Sequence, residues 1–300
     1  MAFAAEVGQP GKTLNSTDPK IRLRPAQPSD TPVVKEFLRT IWDGEDYVPE
    51  VWDDWMGSES GLLVVAEYEN QPAGLGRLRD LGWGEWWMEG LRVDPERQGL
   101  GIASRLHEFL LESWLETGGS VVRLGTHARR KAVHHLCERT GFQYIERLGD
   151  VSAEAQHAGH GFTLAAQNPP ALSFHPDQLN LVSARGEDLM DLDWAWACLR
   201  PERIGERFHS TLWNWRDEGA WAVVHPVQHE PEGRLLVQAF RVDADHCLPF
   251  FSDLRRLAFK LGCKGVRLFA PFDLAQEAFW ERAGWTRDPD EELVLFERRR

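Results

Sequence analysis

Four short motifs of this chain recur in the same order in its second half, and that repeat limits the possible folds more than any other feature. IRLRPAQPSD (21–30) aligns without gaps on LNLVSARGED (179–188), pairing Leu23 with Leu181, Ala26 with Ala184 and Asp30 with Asp188. LRV (91–93) and FRV (240–242) are each followed by an acid, VRL (122–124) matches VRL (266–268), and CERTGF (137–142) matches WERAGW (280–285). The spacing from VRL to the last motif differs between the halves by a single residue. The expected organisation is therefore an N-terminal segment (1–20), one domain over 21–167, a linker over 168–178 and a second copy over 179–300. The linker lies within AAQNPPALSFHPDQ (165–178), a polar, Pro-containing stretch.

Strand and helix periods alternate in the first copy. A strand at Ile21–Pro25 leads to a helix capped by Ser29 or Asp30, with Pro32 in its first turn. GLLVVAEY and AGLGRLRD around ENQP (69–72) read as a hairpin, and EWWMEGLRV as a further strand. Ile102, Leu106, Phe109, Leu110 and Trp114 recur at helical spacing, giving a helix from about Leu100 to Glu116. SVVRLGT, a helix through Ala132–Arg139 and FQYIERL complete the unit. This order predicts an α/β fold, a mixed sheet with helices on its faces.

The 47 acidic and 34 basic residues give a formal charge of -13, which argues against nucleic acid or an anionic membrane as a partner and suits a cationic or amine-bearing one. Cys137, Cys198, Cys247 and Cys263 show neither a disulfide framework nor zinc spacing, so no metal and a reducing, cytoplasmic setting are expected. No apolar run reaches the length of about 18 residues that a membrane helix needs.

VDPERQGLGIASRL (93–106) carries the chemistry. A strand end, a Pro-marked turn and two glycines open an amphipathic helix, so peptide N–H groups of Gln98, Gly99, Leu100, Gly101, Ile102, Ala103 and Ser104 can converge on a phosphate where the helix dipole also favours negative charge. The stretch is neither GxGxxG nor a P-loop. It resembles the R/Q-x-x-G-x-G/A signature of the GCN5-related N-acetyltransferase (GNAT) superfamily, through Gln98, Gly101 and Ala103. That resemblance implies two tandem GNAT folds, each a largely antiparallel mixed sheet splayed at its fourth strand, and acetyl-CoA as the cofactor. It also implies that the backbone of Leu91, Arg92 and Val93 holds the pantetheine arm. Arg130 stands where relatives often place an Asn that contacts the same arm.

Acetyl transfer requires a neutral amine and a protonated leaving thiolate. Glu89 fits the base, since strand period places it on one face with Val93; the competing readings are a solvated sheet residue or an anchor for the substrate amine. Cys137 stands where relatives often carry a Tyr acid, and the thiol, His134 or water can fill that role. In TIWDGEDYVPEVWDDWM (40–56), Asp43 and Asp46, with Glu45, Asp53 and Asp54, can attract a cation, while Trp42 and Tyr47, with Trp52 and Trp55, can wall it. An amphipathic helix with a core face is the other reading of Trp52 and Trp55. D-G-x-D-Y-x-P here and E-G-L-R-V at 89–93 resemble the histidine N-acetyltransferase branch, which implies a free amino acid or similar small-molecule amine as acceptor, for a monomer or homodimer. A non-catalytic acyl-CoA-binding regulator and a protein or peptide N-acetyltransferase are the alternatives.

The second copy differs at the decisive place. RVDADHCLPFF (241–251) has no glycine and Pro249 removes an amide, so its phosphate site is expected to fail while Phe250, Leu254, Leu257 and Leu261 keep the helix as packing.

Overall fold

The computed structural model describes residues 20–165, 178–179, 188–200, 202–204, 212–216, 219–227, 233–275 and 278–300. Apart from Lys20 and Gln178, the expected N-terminal segment and linker lie outside these residues, as does most of the strand and turn expected at 179–188. The described chain forms two compact units. Unit 1 runs to Leu124 and takes in Glu138–Phe142 and Arg298–Arg300; unit 2 holds the described residues of Gly125–Cys137 and Gln143–Glu297.

In unit 1, strands β1 (Ile21–Pro25), β2 (Leu62–Tyr68), β3 (Gln71–Gly82) and β4 (Glu85–Val93) pair antiparallel in that order, and β5 (Val121–His127) joins β4 in parallel. The β2–β3 turn is the pair Glu69–Asn70, with φ of 51° and 64°, a turn whose twist matches that of the strands it joins. Helices α1 (Thr31–Leu38) and α2 (Val48–Gly57) bury Val34, Phe37, Leu38, Trp52 and Trp55 against Val65 and Leu75 of the sheet. Asp30 precedes α1, but its carboxylate turns back to the Gln27 N–H (2.8 Å) and Arg24 (2.7 Å) instead of capping the helix. Helix α3 (Ile102–Thr117) covers the other face, where a Cβ on Gly76 would lie 2.9 Å from Leu110 Cδ1.

Two features of β4 shape the unit. Its parallel pairing with β5 covers Glu85, Trp86 and Trp87 only, and is fastened by a buried ion pair, Arg123 Nη1 to Glu85 Oε2 at 2.5 Å. Beyond it β4 stays bonded to β3 while its other edge opens, which is the splay the resemblance implies. The second feature is a bulge: Glu89 faces Arg77 and Arg92 faces Leu75, so Gly90 and Leu91 together oppose Gly76. Gly90 has φ of 68°, and a Cβ there would sit 2.6 Å from the Trp55 ring. The expectation that strand period puts Glu89 and Val93 on one face fails here, because the extra residue shifts the phase. Glu89 shares the α1–α2 face with Arg92, whereas Leu91 and Val93 share the α3 face. Gly90→Ala meets both the left-handed backbone and the Trp55 ring, and is expected to cost about 2–4 kcal/mol in urea unfolding; a loss below about 0.5 kcal/mol would show that the bulge relaxes freely.

Unit 2 holds further strands in mixed parallel and antiparallel pairing. Strand β6 (Gln143–Glu154) lies antiparallel between β15 (Thr286–Arg299) and β14 (Gly265–Pro271). Next comes β13 (Arg234–Asp243), parallel to β14, and then β12 (Ala220–Val227), β11 (Leu212–Trp215) and β7 (Phe162–Leu164), each antiparallel to its neighbour. Strand β8 (Gln178–Leu179) pairs with the end of β13, while β9 (Leu189–Asp191) and β10 (Trp196–Cys198) form a hairpin. Helices α4 (Lys131–Arg139), α5 (Cys247–Lys260), α6 (Phe272–Ala275) and α7 (Phe279–Arg282) lie between these strands. The β13–β14 pairing again covers three residues, Arg234 to Leu236, and β13 again carries an unmatched residue, Gln238 between Val237 and Ala239. The α5 residues Phe250, Leu254 and Leu257 are fully buried, as their spacing predicts. Asp253 anchors that helix: its carboxylate accepts from the Gly161 N–H (2.9 Å), Trp215 Nε1 (2.9 Å), Arg216 (3.1 Å) and Arg256 (2.7 Å).

Candidate active site

The site grows from the end of β4. Asp94 accepts from the Glu96 N–H at 3.1 Å, and the Arg97 N–H reaches the Asp94 carbonyl at 2.8 Å, so V-D-P-E-R closes a tight turn of its own. Gly99 and Gly101 follow, both at φ of 80°, a conformation that favours glycine, and added Cβ atoms on them would meet nothing within 4 Å. The first bond back into α3 is from the Arg105 N–H to the Gly101 carbonyl, 3.1 Å. No side chain caps this helix and its first turn has no acid. The N–H groups of Ile102, Ala103 and Ser104 thus find no acceptor within the helix, at its positive end, beneath an exposed Gln98–Gly101 turn. An anion fits this arrangement chemically and sterically.

Among the described residues of unit 2, the turn after β13 runs into Cys247, which is buried with Sγ 3.5 Å from the Asp243 carbonyl, and Pro249 follows within the first turn of α5.

Along the opened edge, the Asp94 N–H bonds to the Ala73 carbonyl on β3 at 2.9 Å, so by strand alternation the peptide groups of Leu91 and Val93 point the other way, out of the splay. The Leu91 carbonyl accepts one bond from Arg92 Nη1 at 3.2 Å.

On the α1–α2 face, Glu89 is 11% exposed; Arg77 Nη1 lies 2.8 Å from its carboxylate and Arg79 Nε 3.8 Å. Burial raises the Glu89 pKa above the ordinary carboxylate range, against the pull of Arg79 and Arg77. Arg77 is held further by Ser58 Oγ (3.3 Å) and by the Trp55 ring, 5.1 Å away. These two arginines were not among the candidates from sequence. The signal was there, because R-L-R in a strand places both on the face that hairpin pairing puts opposite Glu89.

The 40–56 segment departs from its expected role. Asp46 does not await a cation: its carboxylate has no exposed surface and binds Arg92 through both oxygens, at 2.9 and 3.0 Å. The Trp42 and Tyr47 faces are likewise taken by Arg92, at 4.2 and 5.5 Å. Asp46→Ala would strand that guanidinium, which is 10% exposed, and is expected to cost about 3–5 kcal/mol by denaturant titration; a change below 1 kcal/mol would show that water already solvates it. Trp52 and Trp55 are core residues, and Trp52 Nε1 donates to Thr31 Oγ1 at 3.0 Å. Asp53 pairs with Lys35 at 2.9 Å, and the Asp43 side chain lies outside the described atoms. The Tyr47 ring is 45% exposed, but its hydroxyl end is crowded, and desolvation pushes its pKa up to about 12 with Arg92, Glu89, Asp46 and Arg79 as charged neighbours.

Arg130 and Cys137 fall in unit 2. Arg130 opens α4, its N–H bonded to the His127 carbonyl at 3.0 Å, and Cys137 has no exposed surface. His134 rests Nε2 3.3 Å from the His127 carbonyl.

An open anion cradle after a splayed, bulged fourth strand can now be set beside known proteins. Residues 31–142 match the model of the acetyltransferase (GNAT) family. Members of this GNAT family use acetyl-CoA. The fold extends the likeness to nearly the whole chain. A candidate acetyltransferase of Thermoplasma acidophilum superposes with a TM-score of 0.61 at 17% identity, over 93% of this chain and 99% of that one. A GCN5-related N-acetyltransferase of Sphaerobacter thermophilus gives 0.61 at 14%, over 95% and 97%. A candidate acetyltransferase of Pyrococcus horikoshii gives 0.58 at 14%, over 97% and 93%. At these identities the likeness is one of GNAT fold. No curated protein matches the sequence. Among the described residues no helix is long and apolar enough to cross a membrane, and no cluster of three or more His, Cys, Asp or Glu could hold a metal.

Proposed function

We propose that this chain is an acetyl-CoA-dependent N-acetyltransferase acting on the primary amine of a small molecule by direct transfer, and that unit 1 carries the chemistry. The observation that carries the reading is the open turn at Gly99–Gly101 above three N–H groups that find no acceptor within the helix. Acetyl-CoA, when bound, supplies an activated acetyl thioester. The amides of Gln98 to Ser104 would hold its pyrophosphate, and the outward peptide groups of Leu91 and Val93 its pantetheine arm.

Glu89 is the proton acceptor in this reading. A buried carboxylate of raised pKa takes a proton from an incoming ammonium more readily than a solvated one, and Arg77 fixes its orientation. Because Cys137 has no exposed surface, we assign proton return to the leaving thiolate to water or another group rather than to its thiol. The recurring three-residue parallel pairing and extra strand residue on β13 support a degenerate second copy, packed where a cradle would otherwise stand.

The test is CoA release from acetyl-CoA by the purified chain with a panel of primary amines. Release with at least one small amine supports the reading. Acetyl-CoA binding without release from any amine would favour a non-catalytic acyl-CoA-binding protein, and acetylation of peptides alone would move the acceptor to protein.

A further inference from the structure

We infer that the acceptor carries a carboxylate beside its amine, and that Arg79 receives it; this rests on the acetyl-transfer reading above. The argument is one of charge. Around Glu89, on the α1–α2 face of β3 and β4, the described side chains bring together the guanidinium groups of Arg77, Arg79 and Arg92 and the carboxylates of Glu89 and Asp46. Three positive charges meet two negative ones, in a part of the protein where Arg77, Arg92, Asp46 and Glu89 are each at most 11% exposed. An uncompensated charge in such a setting is costly, and an incoming anion removes the cost.

The excess resides on Arg79. Arg92 spends its fork on Asp46 and the Leu91 carbonyl, and Arg77 spends its own on Glu89 and Ser58. Among the described residues, Arg79 has only the 3.8 Å approach to Glu89, and its Nε is buried there without a hydrogen-bond acceptor. Its side chain is 25% exposed, the most open of the three. Glu89 and Arg79 therefore present an anion and a cation side by side. In an α-amino acid the amine and the carboxylate are separated by a single carbon, so the two ends match this pair in sign and in spacing: amine to Glu89, carboxylate to Arg79. A simple alkylamine leaves the Arg79 charge unanswered.

Matched acceptors test this directly. CoA release is measured with acetyl-CoA and each of histidine and histamine, phenylalanine and phenethylamine, and glycine and aminomethylphosphonate. Histidine and phenylalanine are each expected to exceed the decarboxylated partner by about 10- to 100-fold in kcat/KM, the worth of a hydrogen bond to a charged group, and glycine is expected to exceed the phosphonate. Arg79→Gln should bring that ratio close to one, mainly through KM, and Arg79→Lys should give an intermediate ratio. Each ratio is taken within a single preparation, so partial misfolding of a variant cancels. A wild-type ratio near one, a ratio that survives Arg79→Gln, or preference for the phosphonate overturns the assignment while leaving acetyl transfer standing. No release with any amine would overturn acetyl transfer itself, and this inference with it.

Discussion

Glu89→Gln is expected to keep acetyl-CoA binding and to slow CoA release by about 100-fold or more, the usual worth of a positioned base. The variant keeps the size of the side chain and its contact with Arg77, so a collapse of the site does not account for the loss. The pH dependence separates a base from an anchor. Burial raises the Glu89 pKa, and a base works only when ionised. Activity of the native chain should therefore climb as pH rises through that raised value and fall away below it. In the Gln variant this limb should vanish from whatever rate remains. A variant that matches the native rate, or keeps the limb, would exclude Glu89 from the proton transfer.

Gly101→Val should weaken acetyl-CoA binding by about 100-fold, close to 2.7 kcal/mol, by placing a branched side chain where the pyrophosphate approaches the amides. Its cost to the fold should be smaller, about 1–2 kcal/mol for a left-handed backbone, because a Cβ there meets no neighbour. Equilibrium titration and urea unfolding on the same preparation separate the two effects. A change at the start of α5, Cys247→Val, should leave acetyl-CoA affinity unaltered, since the Cys247 side chain is already buried and Pro249 offers no amide.

What sequence could and could not disclose follows from the range of the forces involved. Strands β1 to β5 and helix α3 were legible because period and turn chemistry are local: the hairpin at Glu69–Asn70 and the helix after Gly101 lie within two residues of where the pattern puts them. The bulge at Gly90 was not. A glycine after Glu89 reads equally well as an ordinary strand residue, and only the register against β3 reveals the slipped phase that moves Val93 to the opposite face. Asp46 failed for a similar reason. Its acidic, aromatic neighbourhood suggested a trap for a cation, but the cation is Arg92, 46 positions along the chain. Trp52 illustrates the ambiguity of aromatic residues near a cleft, since the spacing that would wall a pocket also serves a helix core. In the second half, β9 to β12 went unread. Their runs are short, and their identity as strands comes from pairing with distant partners rather than from a pattern of their own.

The most direct measurement of the central claim is amide hydrogen exchange, residue by residue, with and without acetyl-CoA. The N–H groups of Ile102, Ala103 and Ser104 should gain strong protection on adding it, while those of residues 245–248 at the start of α5 stay as they were. Unchanged exchange at 102–104 under saturating acetyl-CoA, or equal protection in both helices, would contradict a single phosphate cradle in unit 1.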